Sequence, residues 1–356
     1  MTGRGIDQIL PHPGDPQIRE PSVISATHYV MLAEAINGPI PKPAPFAYIW
    51  GEALDELAHI RPDARIINLE TSITESRTLW PKGINYRMSP ANIPCIMAAE
   101  IDICSLANNH VLDCHYPGLE ETIEALKHSH IAGVGAGRDT AEAQAPAIKE
   151  IADRGRVIVF GFGSVTSGIA REWAAGPNRP GVNLLPDLSD RTADRIATQI
   201  SSHKQPGDVV VASIHWGGNW GYRIASDDRS FAHRLIDTGA VDVVHGHSSH
   251  HAKAIEVYKG KLILYGCGDF LNDYEGIAGY EAYRDDLALM YLPTIEATAG
   301  DLVRLAIVPF QIKRFRLNRA SPSDVTWIRD ILSREGRSFG TRLDVMQGTT
   351  LELSWT

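Results

Sequence analysis

Residues 209–220 read VVVASIHWGGNW, and residues 241–251 read VDVVHGHSSHH. In each, a β-branched run ends on histidine and glycine. Runs that are apolar at nearly every position, not at every second one, suit strands covered on both faces. Between the two stretches Phe231, Leu235 and Ile236 recur at helical spacing, and Gly239 supplies a stop signal. Strands alternating with helices indicate an α/β sheet.

The same alternation extends outward. Strand-like runs fall at 66–70 (IINLE), 101–107 (IDICSLA), 157–163 (VIVFGFG) and 261–268 (KLILYGCG). Helical spacing joins Trp50, Leu54 and Leu57, and also Leu119, Ile123 and Leu126 after Pro117, a residue suited to a first helical turn. A hairpin is expected over 254–266 with its turn at Lys259-Gly260. GVGAGR (133–138) lacks the third glycine of a dinucleotide fingerprint and reads as a tight turn before a helix over 139–149. Residues 10–25 and 71–90 are too polar and proline-rich for regular elements and read as loops of the kind that carry binding surface. The expected division is a main α/β domain over 1–319 and an appendage over 320–356, with a helix near 323–335 and a final strand in TTLELSW.

Composition bounds the function. The chain has 356 residues, 44% hydrophobic and 22% charged, enough for an ample core. A formal net charge of -9 without a long Lys/Arg cluster argues against a surface for nucleic acid or anionic lipid. A small or weakly charged substrate fits better. Cys95, Cys104, Cys114 and Cys267 show neither C-x-x-C spacing nor the density of a disulfide scaffold, so they read as buried hydrophobes in a reduced compartment. No apolar run approaches the roughly 20 residues of a membrane span, and the opening MTGRGIDQIL lacks a signal-peptide pattern, so the expected location is cytoplasmic.

Polar residues gather where the strands end. Glu70 follows IINL; Asn108, Asn109 and His110 follow ICSLA; His215 follows VVVASI; His245, His247, His250 and His251 close or follow VDVV; Asp269 follows LILYGCG. In open α/β sheets, ligands bind at the carboxyl ends of strands. Carboxylate, amide and imidazole together make a mixed N/O shell for one or two divalent metals. Each residue alone has a plainer reading: a strand-end histidine is commonly structural, Asn108-Asn109 could cap a helix, and Glu70 could form a surface pair. It is their recurrence at successive strand ends that points to one shared site. Trp216 and Trp220 could line a pocket or simply pack. Arg4 and Arg87 could hold a substrate carboxylate or anchor loops.

NLETSIT (68–74), SLANNHVLDCHYPGLEET (105–122), GVGAGRDTAEAQAPAI (133–148), HWG (215–217) and GHSSHH with IEVYKGKLILYGCGDF (246–270) resemble, in order and spacing, the CapA family of poly-γ-glutamate capsule proteins, grouped with the calcineurin-like metallophosphoesterases. The resemblance runs to about residue 315. It implies a layered α/β/β/α sandwich of mixed sheets around a metal centre. It implies Glu70 as the metal-bridging acid, Asn109 as the amide ligand, His215 with His247 or His250 as imidazole ligands, and His110 as general acid.

Three departures accompany it. The family's opening GDVM-type motif is matched only at its tail, by Met1, Gly3 and Arg4, so its aspartate ligand is expected upstream of a misassigned start. GHHPH stands here as Gly246-His247-Ser248-Ser249-His250. GNF stands as Gly268-Asp269-Phe270, leaving Asp269 either functional or structural. The implied cofactor is one or two divalent ions, Mn, Zn, Fe or Ca. The implied activity is hydrolysis of a γ-glutamyl or peptide amide or a phosphoester. Two alternatives stand beside it: metal-dependent peptide epimerisation, and non-catalytic binding of a polyglutamate chain during capsule assembly.

Overall fold

The computed structural model describes residues 1–21, 23–346 and 348–356. Its centre is a six-stranded sheet in the order Ile255–Tyr258, Lys261–Leu264, Val243–His247, Val209–His215, Gly155–Gly163, Ala147–Ile151. The four inner strands are parallel and the two outer ones antiparallel to their neighbours. Both faces are covered. Ile158, Phe160, Val210, Ala212, Ile214 and Val244 pack with helices Asp190–Ser201 and Ser226–Asp237, while Val159, Val211, Val243 and Leu262 face a second sheet. Burial on both sides is the reason these strands carry uninterrupted apolar runs.

The second sheet contains Leu287–Ile295, Leu302–Lys313, Leu351–Trp355 and Thr341–Val345, with Arg316–Arg319 on the second of these. Its side chains alternate as a strand requires. Leu287, Leu289, Leu305 and Ile307 point toward the six-stranded sheet; Ala288, Met290, Val308 and Phe310 point to a third core shared with Thr27–Asn37, Ala53–Ile60 and His115–His128. The order is therefore helices, sheet, sheet, helices: the layered α/β/β/α sandwich. Helix Pro322–Gly336 packs on the inter-sheet core and opens with a capping box, Ser321 and Asp324.

A small parallel sheet, Ile66–Asn68, Ile103–Ser105, Ala132–Val134, brings further strand ends to the same rim as His215 and His247. Gly135 makes this approach possible. Its φ is +85°, and a Cβ there would lie 2.6 Å from Ala107 Cβ and 2.9 Å from Gly161 Cα.

The hairpin stands as expected, with Lys259 and Gly260 at positive φ in a two-residue turn. Two expectations are corrected. The helix over 139–149 spans only Thr140–Gln144, because Pro146 pushes Ala145 into extended backbone and the chain continues as strand Ala147–Ile151. Both expected loops contain short strand pairs, Gln17–Glu20 against Val23–Ser25 within 10–25 and Ser72–Ile73 against Arg87–Met88 within 71–90.

Candidate metal centre

Four strand ends deliver the site. Glu70 lies two residues past Ile66–Asn68; Asn109 and His110 lie on the turn after Ile103–Ser105; His215 and His247 are the last residues of adjacent parallel strands and are register partners. The NNH turn is braced by Asn108, whose Nδ2 donates to Asn68 Oδ1 (3.0 Å) and Leu69 O (2.9 Å) and whose Oδ1 accepts from His110 N (3.1 Å). Asn108 thus fixes a turn and caps no helix. Asn68 Nδ2 in turn donates to Glu70 Oε2 (2.9 Å), leaving Oε1 free to face the imidazoles.

His215 Nε2 stands 3.1 Å from Asn109 Oδ1 and 3.9 Å from Glu70 Oε1, and His110 Nε2 stands 4.0 Å from the same oxygen. His247 is one layer behind, its Nδ1 2.7 Å from His215 Nδ1 and its Nε2 3.0 Å from Ser213 Oγ, which also meets His245 Nδ1 at 3.0 Å. On the other side His250 Nδ1 pairs with Asp269 at 3.1 Å, and Asn272 Nδ2 donates to Asp269. Glu70, His110, His215, His247 and His250 are all buried.

Burial sets the charges. It pushes Glu70 up to about 7, partly offset by His250. It pulls His215 well down, helped by His110 and His250, and pulls His247 down likewise, so both are neutral, the form a metal requires. Burial also lowers His250, but the Asp269 carboxylate outweighs it and His250 ends raised, with Asp269 correspondingly held low by His250.

Among the described residues, no three or more His, Cys, Asp or Glu side chains stand ready as a complete metal cage. An amide oxygen alters that count. Two ligand atoms each about 2.1 Å from one ion can be at most about 4.2 Å apart. Asn109 Oδ1 and Glu70 Oε1 both meet that limit from His215 Nε2, and neutral imidazole, amide oxygen and carboxylate are the donor types that suit Zn or Mn. These donors suit a divalent ion in kind, and their separations from His215 Nε2 lie within that limit.

His110 has its own support. Its Nδ1 is 2.7 Å from Asp113 Oδ2, its ring lies 4.1 Å from that of Tyr86, and Lys82 Nζ stands 2.6 Å from Asp113 Oδ1 while donating to Asn109 O. Burial and the Lys82 and Arg4 cations keep His110 neutral, well below its usual range.

A model of the bacterial capsule synthesis protein family PGA_cap matches residues 1–274, a span that contains every residue of this cluster. The chain belongs to that family. A relative in Mycobacterium tuberculosis, described as "Probable polyglutamine synthesis accessory protein", is 47% identical over 355 residues, covering 99% of this chain and 93% of its own. The capsule biosynthesis protein CapA of Bacillus anthracis is 27% identical over 250 residues, covering 69% of this chain and 55% of its own. A solved structure described as a novel phosphatase of Mycoplasma pneumoniae aligns with 76% of this chain and 88% of its own at 13% identity and a TM-score of 0.39, too distant to carry an argument.

In this PGA_cap chain, the residues that strand-end reasoning passed over are Asp113, Lys82 and Ser213. Asp113 had a signal, three residues after His110 within NNHVLD; Lys82 and Ser213 had none. The plainer readings hold elsewhere. Trp216 is buried and donates to Tyr265 O; Arg87 donates to Ser76 O and Asp15 O. Arg4 is buried between Asp273 and Glu20 and is not available to a substrate. All four cysteines are free, and among the described residues no helix is long and apolar enough to cross a membrane.

Proposed function

We propose that this capsule-family protein is a metal-dependent hydrolase that cleaves a γ-glutamyl or peptide amide or a phosphoester. The observation that carries the reading is the convergence of Glu70 Oε1, Asn109 Oδ1 and His215 Nε2 beside the carboxylate-held imidazole of His110. A divalent ion held by Glu70, Asn109 and His215, with His247 and His250 adjoining, supplies a Lewis acid and an acidified water when bound. His110, fixed through Nδ1 by Asp113, presents Nε2 toward Glu70 and moves a proton there. Being neutral, it takes the proton first and returns it to the leaving group, which makes the expected general acid a base beforehand. The relatives' names, a probable polyglutamine synthesis accessory protein and a capsule biosynthesis protein, support an amide-linked capsule polymer over a phosphoester as the substrate class.

A second reading has one observation behind it. His250 with Asp269 is another carboxylate-held imidazole near Glu70. Two such groups suit removal of an α-proton by one and its return by the other, which is epimerisation. Purified protein incubated with Mn²⁺, γ-glutamyl peptides and phosphoesters in D₂O separates the outcomes. Amine or phosphate release supports hydrolysis; α-deuterium without release supports epimerisation; bound metal with neither supports a polymer-binding role in capsule assembly. Under the hydrolase reading, His110→Gln keeps its metal and loses roughly 10²–10⁴-fold in turnover.

A further inference from the structure

Glu70 and the imidazoles of the candidate centre are buried, with only Asn109 and Asp269 partly exposed. Glu70 is 6% exposed, His110 7%, His215 1% and His250 6%. A centre that acts on a substrate of peptide size must open somewhere. One covering segment differs from the rest in how it is attached. Residues 276–283 lie between two firm anchors: Glu275, which accepts from Asn37 Nδ2 (2.6 Å), Arg314 N (2.8 Å) and Phe315 N (2.6 Å), and Arg284, which pairs with Asp286 and Asp324, both at 2.7 Å.

Between these anchors, among the described residues, every hydrogen bond stays inside the segment and its immediate flanks: Ile277 N to Tyr274 O, Gly279 N to the Glu281 carboxylate, Tyr283 N to Tyr280 O. Rings hold it down. Tyr280 stacks on Trp220 at 4.0 Å and 8°, and Tyr283 lies on His251 at 4.7 Å and 26°. Trp220 is in turn 5.3 Å from His250. Gly276 and Gly279, at φ +85° and +110°, give the segment two positions where backbone can turn without a side-chain penalty.

We propose that residues 276–283 are a hinged flap that closes on Trp220 and controls access to the His250–Asp269 side of the centre. Opening it exchanges the Tyr280–Trp220 and Tyr283–His251 ring contacts and the packing of Ile277 for water but breaks no hydrogen bond to the body of the protein, so the open state costs less than local unfolding of a strand at the rim. The need for opening rests on the hydrolase or epimerase reading; the motion itself does not.

The test is therefore made without metal or substrate. Carbethoxylation of histidines by diethylpyrocarbonate, followed peptide by peptide by mass spectrometry, reports the access of His250. In Tyr280→Ala the rate at His250 is expected to rise about tenfold, in line with loss of one good aromatic pair, while His110, sheltered by Tyr86 and outside the flap, stays within about twofold of wild type. Tyr280→Phe, which keeps the ring, is expected to label like wild type. Equal His250 rates in wild type and Tyr280→Ala would overturn the flap. So would a parallel rise at His110 and His215, which marks general loosening. Either failure leaves the metal reading untouched, and a protein that binds no metal leaves this labelling result intact.

Discussion

Replacing Asp113, whose carboxyl burial pushes up to about 7, by asparagine removes the partner of Lys82 while leaving an oxygen for His110, and should cost stability without changing the His110 tautomer. Asp113 is fully buried; it accepts from Tyr86 N at 2.5 Å, holds His110 Nδ1 at 2.7 Å and pairs with Lys82 at 2.6 Å. Breaking a buried ion pair from one side costs about 3–5 kcal/mol because the remaining charge is stranded. Lys82 is a quarter exposed and can turn toward water, so the smaller figure of about 1–3 kcal/mol applies here. The asparagine oxygen can keep the bond from Tyr86 N. Standing where Oδ2 stood, that oxygen also keeps facing His110 Nδ1, so the ring proton stays on Nδ1, while the NH₂ meets Lys82 Nζ, donor against donor. Urea unfolding measures the loss at Lys82, and two-dimensional ¹H–¹⁵N spectra of labelled histidine report the His110 tautomer. Loss of less than about 0.5 kcal/mol, or a His110 ring proton moved to Nε2, would refute this reading of the support.

Gly135→Ala forces a side chain into positive φ and against Ala107, two residues before Asn109; unfolding should show a loss of about 2–4 kcal/mol, and Mn²⁺ titration should show weaker binding through the displaced turn. Arg156 holds Asp208 by a two-pronged pair, 2.9 and 2.5 Å, which keeps the Asp208 carboxyl below its usual range. A lowered folded-state pKa contributes stability above the unfolded carboxylate range and loses it as pH falls through the folded value. Urea melts of Asp208→Asn and wild type should therefore differ at pH 7 and converge as pH falls through the lowered folded-state value of Asp208.

Much of the architecture was legible because burial on both faces writes itself into sequence. The runs ending at His215 and His247 are apolar throughout, and the Lys259-Gly260 turn has the chemistry its hairpin requires. The long strands Leu287–Ile295 and Leu302–Lys313 were passed over although they form the larger pair of the second sheet. Each carries a proline, Pro293 and Pro309, a residue that ordinarily argues against a paired strand. The site was legible only as far as strand ends could show it. Glu70, Asn109, His110 and His215 share one rim because parallel strands deliver their ends there. That Asp113 orients His110, that His247 sits behind His215 with Ser213, and that Asp269 pairs with His250 depend on side-chain directions that spacing does not fix.

The central claim is that Glu70, Asn109 and His215 hold a divalent ion, and calorimetric titration of Mn²⁺ and Zn²⁺ into chelator-stripped protein, with elemental analysis of the product, tests it most directly. The account predicts at least one ion per chain, loss of that binding in His215→Ala, and a melting temperature that rises with metal for wild type alone, corresponding to about 2.7 kcal/mol at a hundredfold excess over Kd. No uptake by wild type, or equal uptake by wild type and His215→Ala, would contradict it.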